Sequence, residues 1–167
     1  LELGYEELKR NYYNFGFTKP ISINFPSSAF GYMDIKEKVS DRELASLGYG
    51  YGITISPFQI ASAYSVFANK GEYKDFTLLK DQTITSRKII SDESAINILD
   101  ALQKVVKEGT GKAAEIQGFS EGGKTGTVHK IRKGSGYAED LYRASFIGIA
   151  PLSDKSLTIF VSIDEPG

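Results

Sequence analysis

"GFSEGGKTGT", Gly118 to Thr127, admits two readings that demand different folds. Gly118-x-x-x-x-Gly123-Lys124-Thr125 has the spacing of a phosphate-binding loop. In such a loop a buried strand delivers a glycine-rich turn, and a helix starting at the Lys-Thr points its free N–H groups at phosphate. Read as a strand, Lys124-Thr125-Gly126-Thr127 instead lays an ammonium and two hydroxyls along one extended segment. Such a segment holds a carboxylate, and its glycine lets a peptide lie against the backbone. The flanking segments decide. "KAAEIQ" before Gly118 is too polar and short for a central parallel strand, and Gly126-Thr127-Val128-His129 is a poor start for a helix. "IFVSIDE" (Ile159–Glu165) imitates the apolar strand that ends in a magnesium-binding acid, but too little chain follows Lys124 for helix-and-strand layers. A nucleotide-binding module is the weaker alternative.

The strand reading agrees with what surrounds it. "KTGTVHKI", "RASFIGIAP" and "LTIFVSID" are strand-like runs rich in β-branched and aromatic residues, with "GSG" as a turn between the first two. Their short spacing predicts an antiparallel meander, because parallel strands need longer crossovers. Helices precede it. Tyr5, Leu8, Tyr12 and Phe15 recur at helical spacing and stop at Gly16. Ser56, Pro57 and Gln59 form the start of a second helix with Ile60, Tyr64, Phe67 and Ala68 as its apolar face and Gly71 as its stop. A third runs from Ser91 to Lys107, capped by Ser91, with Ile96, Leu99, Leu102 and Val106 as its buried face. Residues 17–46 read as loop with short strands, and Gly48, Gly50 and Gly52 as a close approach of backbone to a neighbour. Helices followed by an antiparallel sheet predict an α+β domain.

Composition excludes several function classes. The 167 residues carry 20 basic and 21 acidic side chains, which leaves no electrostatic footprint for nucleic acid. The local cluster His129, Lys130, Arg132, Lys133 reads as a solvated hairpin face. There is no cysteine, and His129 is the single histidine, so thiolate or histidine-based metal sites are not expected. No apolar run approaches the ~20 residues that span a bilayer. The chain opens on Leu1 and its one methionine is Met33, so it reads as a piece of something longer.

"LGYGYGITISPFQIASAYSVFANKGEY", "VVKEGTGKAA", "GGKTGTVHK", "YRASFIGIAP" and "VSIDEP" follow one another in the order and spacing of a known family. Over essentially all 167 residues the chain resembles the C-terminal half of the transpeptidase domain of class B penicillin-binding proteins. Among these it looks most like the cell-division (septal) peptidoglycan D,D-transpeptidases of Gram-negative bacteria. The resemblance implies the penicillin-binding, serine β-lactamase-like fold, a five-stranded antiparallel sheet packed by helices with the active site along one edge strand. It implies that residues 1–167 are the C-terminal part of one such domain. Lys124, Thr125, Gly126 and Thr127 then line the site, the Thr125 and Thr127 hydroxyls holding the carboxylate of a terminal D-alanine or a β-lactam. Lys124 and the Thr127 backbone N–H, half of the oxyanion hole, are the catalytic candidates. Tyr142 matches a position that forms an aromatic wall near the ligand, and His129 lies near the rim.

By the same resemblance the whole enzyme forms a serine acyl-enzyme with a peptidoglycan stem peptide, expels D-alanine and cross-links the wall without metal or cofactor. It is implied to sit on the periplasmic face of the inner membrane with other cell-division proteins as partners. A non-enzymatic penicillin-recognising sensor is the alternative on the same fold.

The departures matter. The family's nucleophile lies in Ser-x-x-Lys, which occurs nowhere in the chain, so this stretch alone is expected to be inactive. Ser22-Ile23-Asn24 and Tyr12-Tyr13-Asn14 imitate the second family motif, but that motif should precede the first helix. Ser120-Glu121-Gly122 replaces an apolar pair usual in relatives, which puts the length of the strand in question and points Glu121 at solvent.

Overall fold

Three of the four α-helix starts among the described residues are written locally, as serine caps that accept from the N–H three residues later. Ser56 Oγ accepts a hydrogen bond from the Gln59 N–H while Gln59 Oε1 accepts one from the Ser56 N–H, and Pro57 fills the first turn of α3 (Pro57–Ala68). Ser91 caps α4 (Asp92–Lys107) through the Ser94 N–H. The computed structural model describes residues 2–21, 29, 31–34, 36–132, 136–153 and 155–166. Ser22-Ile23-Asn24 and most of the "GSG" turn lie outside them.

The first helix, α1, spans Tyr5–Asn14. A helix that the sequence reading passed over, α2 (Asp41–Gly48), has a full capping box between Ser40 and Glu43. Lys36, 2.7 Å from Glu43, and the Ser40 N–H and hydroxyl hold the Glu43 carboxyl down at about 2. Short strands β1 (Tyr32–Met33) and β2 (Ile53–Thr54) pair with each other, as do β3 (Glu72–Lys74) and β4 (Ser86–Lys88).

The main sheet is β5 (Gly122–Arg132), β6 (Gly136–Ala150) and β7 (Leu157–Asp164), antiparallel in that order, as the meander predicts. Of the five strands that the resemblance implies, the described residues form these three. Strand periodicity gives the sheet two faces. Ile147 and Ile149 on the inner face are buried, and α3 and α4 pack there. Gly122 on β5 has no room for a Cβ, which would lie 3.0 Å from Leu102 Cβ of α4.

Three expectations need correction. In α4, Leu102 and Val106 of the predicted face are buried and Leu99 is half-buried, but Ile96 is 56% exposed and Ala95 beside it takes the buried place. In α3 the buried residues are Gln59, Ser62, Ala63 and Val66, while Ile60, Tyr64, Phe67 and Ala68 are half-buried. Small and polar side chains win there because Gln59 is a pin. Its oxygen accepts from the Gly31 N–H at 2.7 Å, and its amide donates to the Gly16, Phe17 and Lys19 carbonyls. Finally, a Cβ would meet nothing within 4 Å at Gly48 or Gly50, so close backbone approach is not their role. Gly50 and Gly52 have φ of 87° and 77°, the left-handed conformation that glycine adopts without penalty.

Candidate active site

Lys124-Thr125-Gly126-Thr127 lies within β5, and the strand continues unbroken past it to Arg132. No helix starts at Lys124, so the free N–H groups that a phosphate loop needs are absent from this turn of sequence. The phosphate-loop reading is excluded by that geometry.

β5 is an edge of the sheet, and the pairing fixes which backbone groups face outward. The Tyr142 carbonyl accepts from the Glu165 N–H at 3.0 Å, so Tyr142 turns its polar groups toward β7. Ala144, two residues on, does the same. Thr127, the partner of Ala144 across the ladder, therefore sits in a non-hydrogen-bonded pair, and its N–H points to the open edge. Two side-chain contacts agree. Ser145 Oγ donates to the Gly126 carbonyl at 3.3 Å, which places Gly126 on the β6 side, and Lys124 Nζ reaches the Thr125 carbonyl at 2.9 Å from the open side.

Side chains alternate about this backbone. Lys124 falls on the inner face, where it lines an apolar cavity of about 670 Å³ walled by Tyr12 of α1, Phe15 just after it, Tyr64 and Phe67 of α3, and Leu102 of α4. Burial raises the phenol pKa of both Tyr12 and Tyr64, so these walls stay neutral. Lys124 Nζ donates to the Thr125 carbonyl, and among the described residues no carboxylate stands within ion-pair distance of it. Thr125, Thr127 and His129 fall on the outer face. Gly126 has its missing Cβ 2.8 Å from Ser145 Oγ, so the strand is thinnest between the two threonines.

The sequence-predicted residues are thus brought together on one edge. Tyr142 is the cross-strand partner of His129, their rings 6.3 Å apart, beyond Thr127 on the outer face. Glu121 is corrected: it is buried at 7% exposure, with Oε1 3.4 Å from the Ile116 N–H and Oε2 without a partner. The Ile116–Ser120 turn folds back to it through that contact, and the strand beyond it runs the full Gly122–Arg132. The reading missed Thr110, whose Oγ1 lies 2.9 Å from Thr125 Oγ1. The signal was available in "EGTG", two glycines flanking a hydroxyl after a helix stop. Lys130, predicted as solvated, is drawn to Asp164 and Glu165 at 2.7 Å each.

The sequence matches the penicillin binding protein transpeptidase domain over residues 1–167. The chain belongs to the penicillin-binding protein transpeptidase family. It is 36% identical over 168 residues to the probable peptidoglycan D,D-transpeptidase PbpC of Pseudomonas aeruginosa, covering 99% of this chain and 30% of that protein. It is 34% identical to stage V sporulation protein D of Bacillus subtilis, covering 98% of this chain and 27% of that one. The transpeptidase domain of Burkholderia pseudomallei penicillin-binding protein 3 superposes with a TM-score of 0.87 at 34% identity, over 96% of this chain and 50% of that structure. The chain therefore spans under a third of these curated relatives and about half of a solved transpeptidase domain. The fold is that of the family, an α+β transpeptidase architecture of helices and antiparallel strands. Among the described residues no helix is long and apolar enough to cross a membrane.

Proposed function

We propose that residues 1–167 are the C-terminal part of a peptidoglycan D,D-transpeptidase domain and form one wall of its active site. The observation that carries this is the outward Thr127 N–H on an edge strand whose neighbouring positions are Lys124, Thr125 and Gly126. A substrate peptide added along that edge meets an N–H donor at its carbonyl, hydroxyls at its terminal carboxylate and an ammonium beside the reacting bond. Thr127 N–H supplies half of the oxyanion hole. Thr125 and Thr127 hydroxyls hold the carboxylate of D-Ala-D-Ala or of a β-lactam, and Gly126 lets the ligand lie close. Tyr142 and His129 form the rim toward the substrate side chain.

The serine that attacks the penultimate D-alanine carbonyl belongs to residues outside this stretch, because Ser-x-x-Lys does not occur in it. The acyl group then passes to an amine of a neighbouring stem peptide. We assign the protein a septal role on the periplasmic face of the bacterial inner membrane, with cell-division proteins as partners. This finer assignment is supported by the sequence resemblance alone.

The test is covalent labelling. The intact protein that carries this chain is expected to form a penicillin adduct that survives denaturing electrophoresis, and Lys124→Met to slow its formation on the order of a hundredfold. Residues 1–167 alone are expected to form none. An intact protein that takes up no label overturns the reading, and a stable adduct on the isolated stretch overturns the placement of the nucleophile.

A further inference from the structure

Thr110 stands in a turn whose place is set with unusual firmness for an exposed residue. The Gly109 and Gly111 N–H groups both donate to the Val105 carbonyl, at 3.1 and 3.0 Å, tying the turn to the end of α4. A Cβ at Gly109 would come 2.9 Å from the Val105 oxygen, and one at Gly111 3.2 Å from Val105 Cγ1, so the glycines let the turn close on the helix. The helix is in turn fixed on β5 by Leu102 and Val106, exposed by 7% and 0%. Through this chain of contacts Thr110 Oγ1 is held 2.9 Å from Thr125 Oγ1.

A threonine hydroxyl has one proton to give and lone pairs to accept. For Thr125 to donate to a ligand carboxylate, the hydrogen bond from Thr110 must run the other way, Thr110 O–H donating and Thr125 Oγ1 accepting. That arrangement turns the Thr125 proton outward and polarises it, since hydrogen bonds in a chain strengthen one another. We infer that Thr110 is a positioning residue that orients the Thr125 hydroxyl toward the terminal carboxylate of the acyl donor, and so selects substrates that carry one. The inference rests on the transpeptidase reading above. It adds a residue from outside the strand and a specificity that follows from it.

The probes are a labelled penicillin with its free carboxylate and the methyl ester of the same compound, each reacted with the intact protein. Thr110→Val is expected to slow acylation by the free acid about fivefold to tenfold, the size of one hydrogen bond to a charged group's donor. The ester rate should stay within about twofold, since the lost orientation serves only the carboxylate. Thr110→Ser, which keeps the hydroxyl, should restore the acid rate, and Thr110→Ala should repeat the valine result. Equal slowing of acid and ester, an unchanged acid rate, or a serine variant as slow as valine would each overturn the inference. Thermal melting of every variant accompanies the rates, and a melting loss shared by Ser and Val without acid selectivity also counts against it. If the wild-type protein takes up neither probe, the failure is that of the transpeptidase reading itself, and this inference falls with it.

Discussion

The two faces of the β5–β6–β7 sheet are built from the same three strands and differ almost completely. On the inner face Ile147 and Ile149 are 4% and 0% exposed, and helices α3 and α4 cover them. On the outer face Leu157, Ile159, Val161 and Ile163 form a continuous apolar row on β7, each between 49% and 66% exposed. The exposed outer row is as apolar as the buried inner pair, so burial here is decided by what packs on each face and not by residue type. The candidate site lies on neither face alone. It sits on the β5 edge, where Lys124 turns inward to an apolar cavity and the threonines turn outward beside Thr110. An edge is where a sheet still has N–H groups to offer, and that is the property a peptide-binding wall needs.

The largest effect should come from emptying the inner face. Ile149→Ala in the intact protein is expected to cost about 2–5 kcal/mol, transfer loss plus a cavity that α3 and α4 cannot collapse into. Ile159→Ala, on the outer face of the neighbouring strand, should cost less than about 1 kcal/mol if that face is open in the intact protein too. Chemical denaturation of both variants measures the contrast. Equal losses would show that the outer row is covered in the whole protein, and would abolish the distinction between faces.

A second substitution pair tests the comparison where it looks least secure. Gly123 belongs to the open face, yet a Cβ there would stand 2.3 Å from Phe146 Cζ and 2.7 Å from the Ile147 carbonyl. Gly126 belongs to the inner face, and its Cβ would meet only Ser145 Oγ, at 2.8 Å. Gly123→Ala should therefore destabilise by about 1–3 kcal/mol, because a ring and a carbonyl must both move. Gly126→Ala should cost less in stability, since a serine hydroxyl can rotate away, while obstructing the ligand path along the strand. Melting temperature paired with penicillin acylation separates the two. A Gly126→Ala variant that melts lower than Gly123→Ala would contradict the packing assigned to both faces.

Much of this was legible in the sequence, and the parts that were not share a cause. The caps at Ser56 and Ser91, the meander and the Lys124–Thr127 strand depend on local spacing, which a single sequence displays. Helix α2 was equally local through Ser40 and Glu43, but its surroundings of prolines and glycines hid the box. What could not be read was rotation and depth. Ile96 and Ala95 are adjacent in α4, and only the packing of the folded chain decides that the smaller of the two is buried. Gln59 was legible as a cap but not as a buried pin joining three segments. Thr110 meets Thr125 across 15 residues through a helix end docked on a strand, a juxtaposition that no periodicity announces. Glu121 looked solvent-bound because carboxylates usually are, and its burial depends on how the preceding Ile116–Ser120 turn folds back to it.

The smallest effect concerns the far end of the inner face, where the apolar surface gives way to charge. Arg143 and Asp164 are cross-strand partners there, and Lys130 reaches Asp164 at 2.7 Å. The hydrogen bond from Lys130, with a further one from Arg143, holds the Asp164 carboxyl below its ordinary value of 3.8 despite some desolvation. A carboxyl depressed in the folded state contributes stability that is fully present above its unfolded pKa and fades as pH falls through the folded one. The window is therefore acidic, below about pH 4, and the contribution small, because the Asp164 side chain is 52% exposed and screened by salt. Titration of Asp164 by carboxyl NMR should give a midpoint under its ordinary value. Lys130→Gln should raise it more than Arg143→Gln, since Lys130 is the stronger cause, and 1 M salt should shrink both shifts. If Arg143→Gln moved the midpoint further, the charge at this end would belong to the β6–β7 ladder alone, and β5 would reach the inner face only through Lys124 and its apolar neighbours.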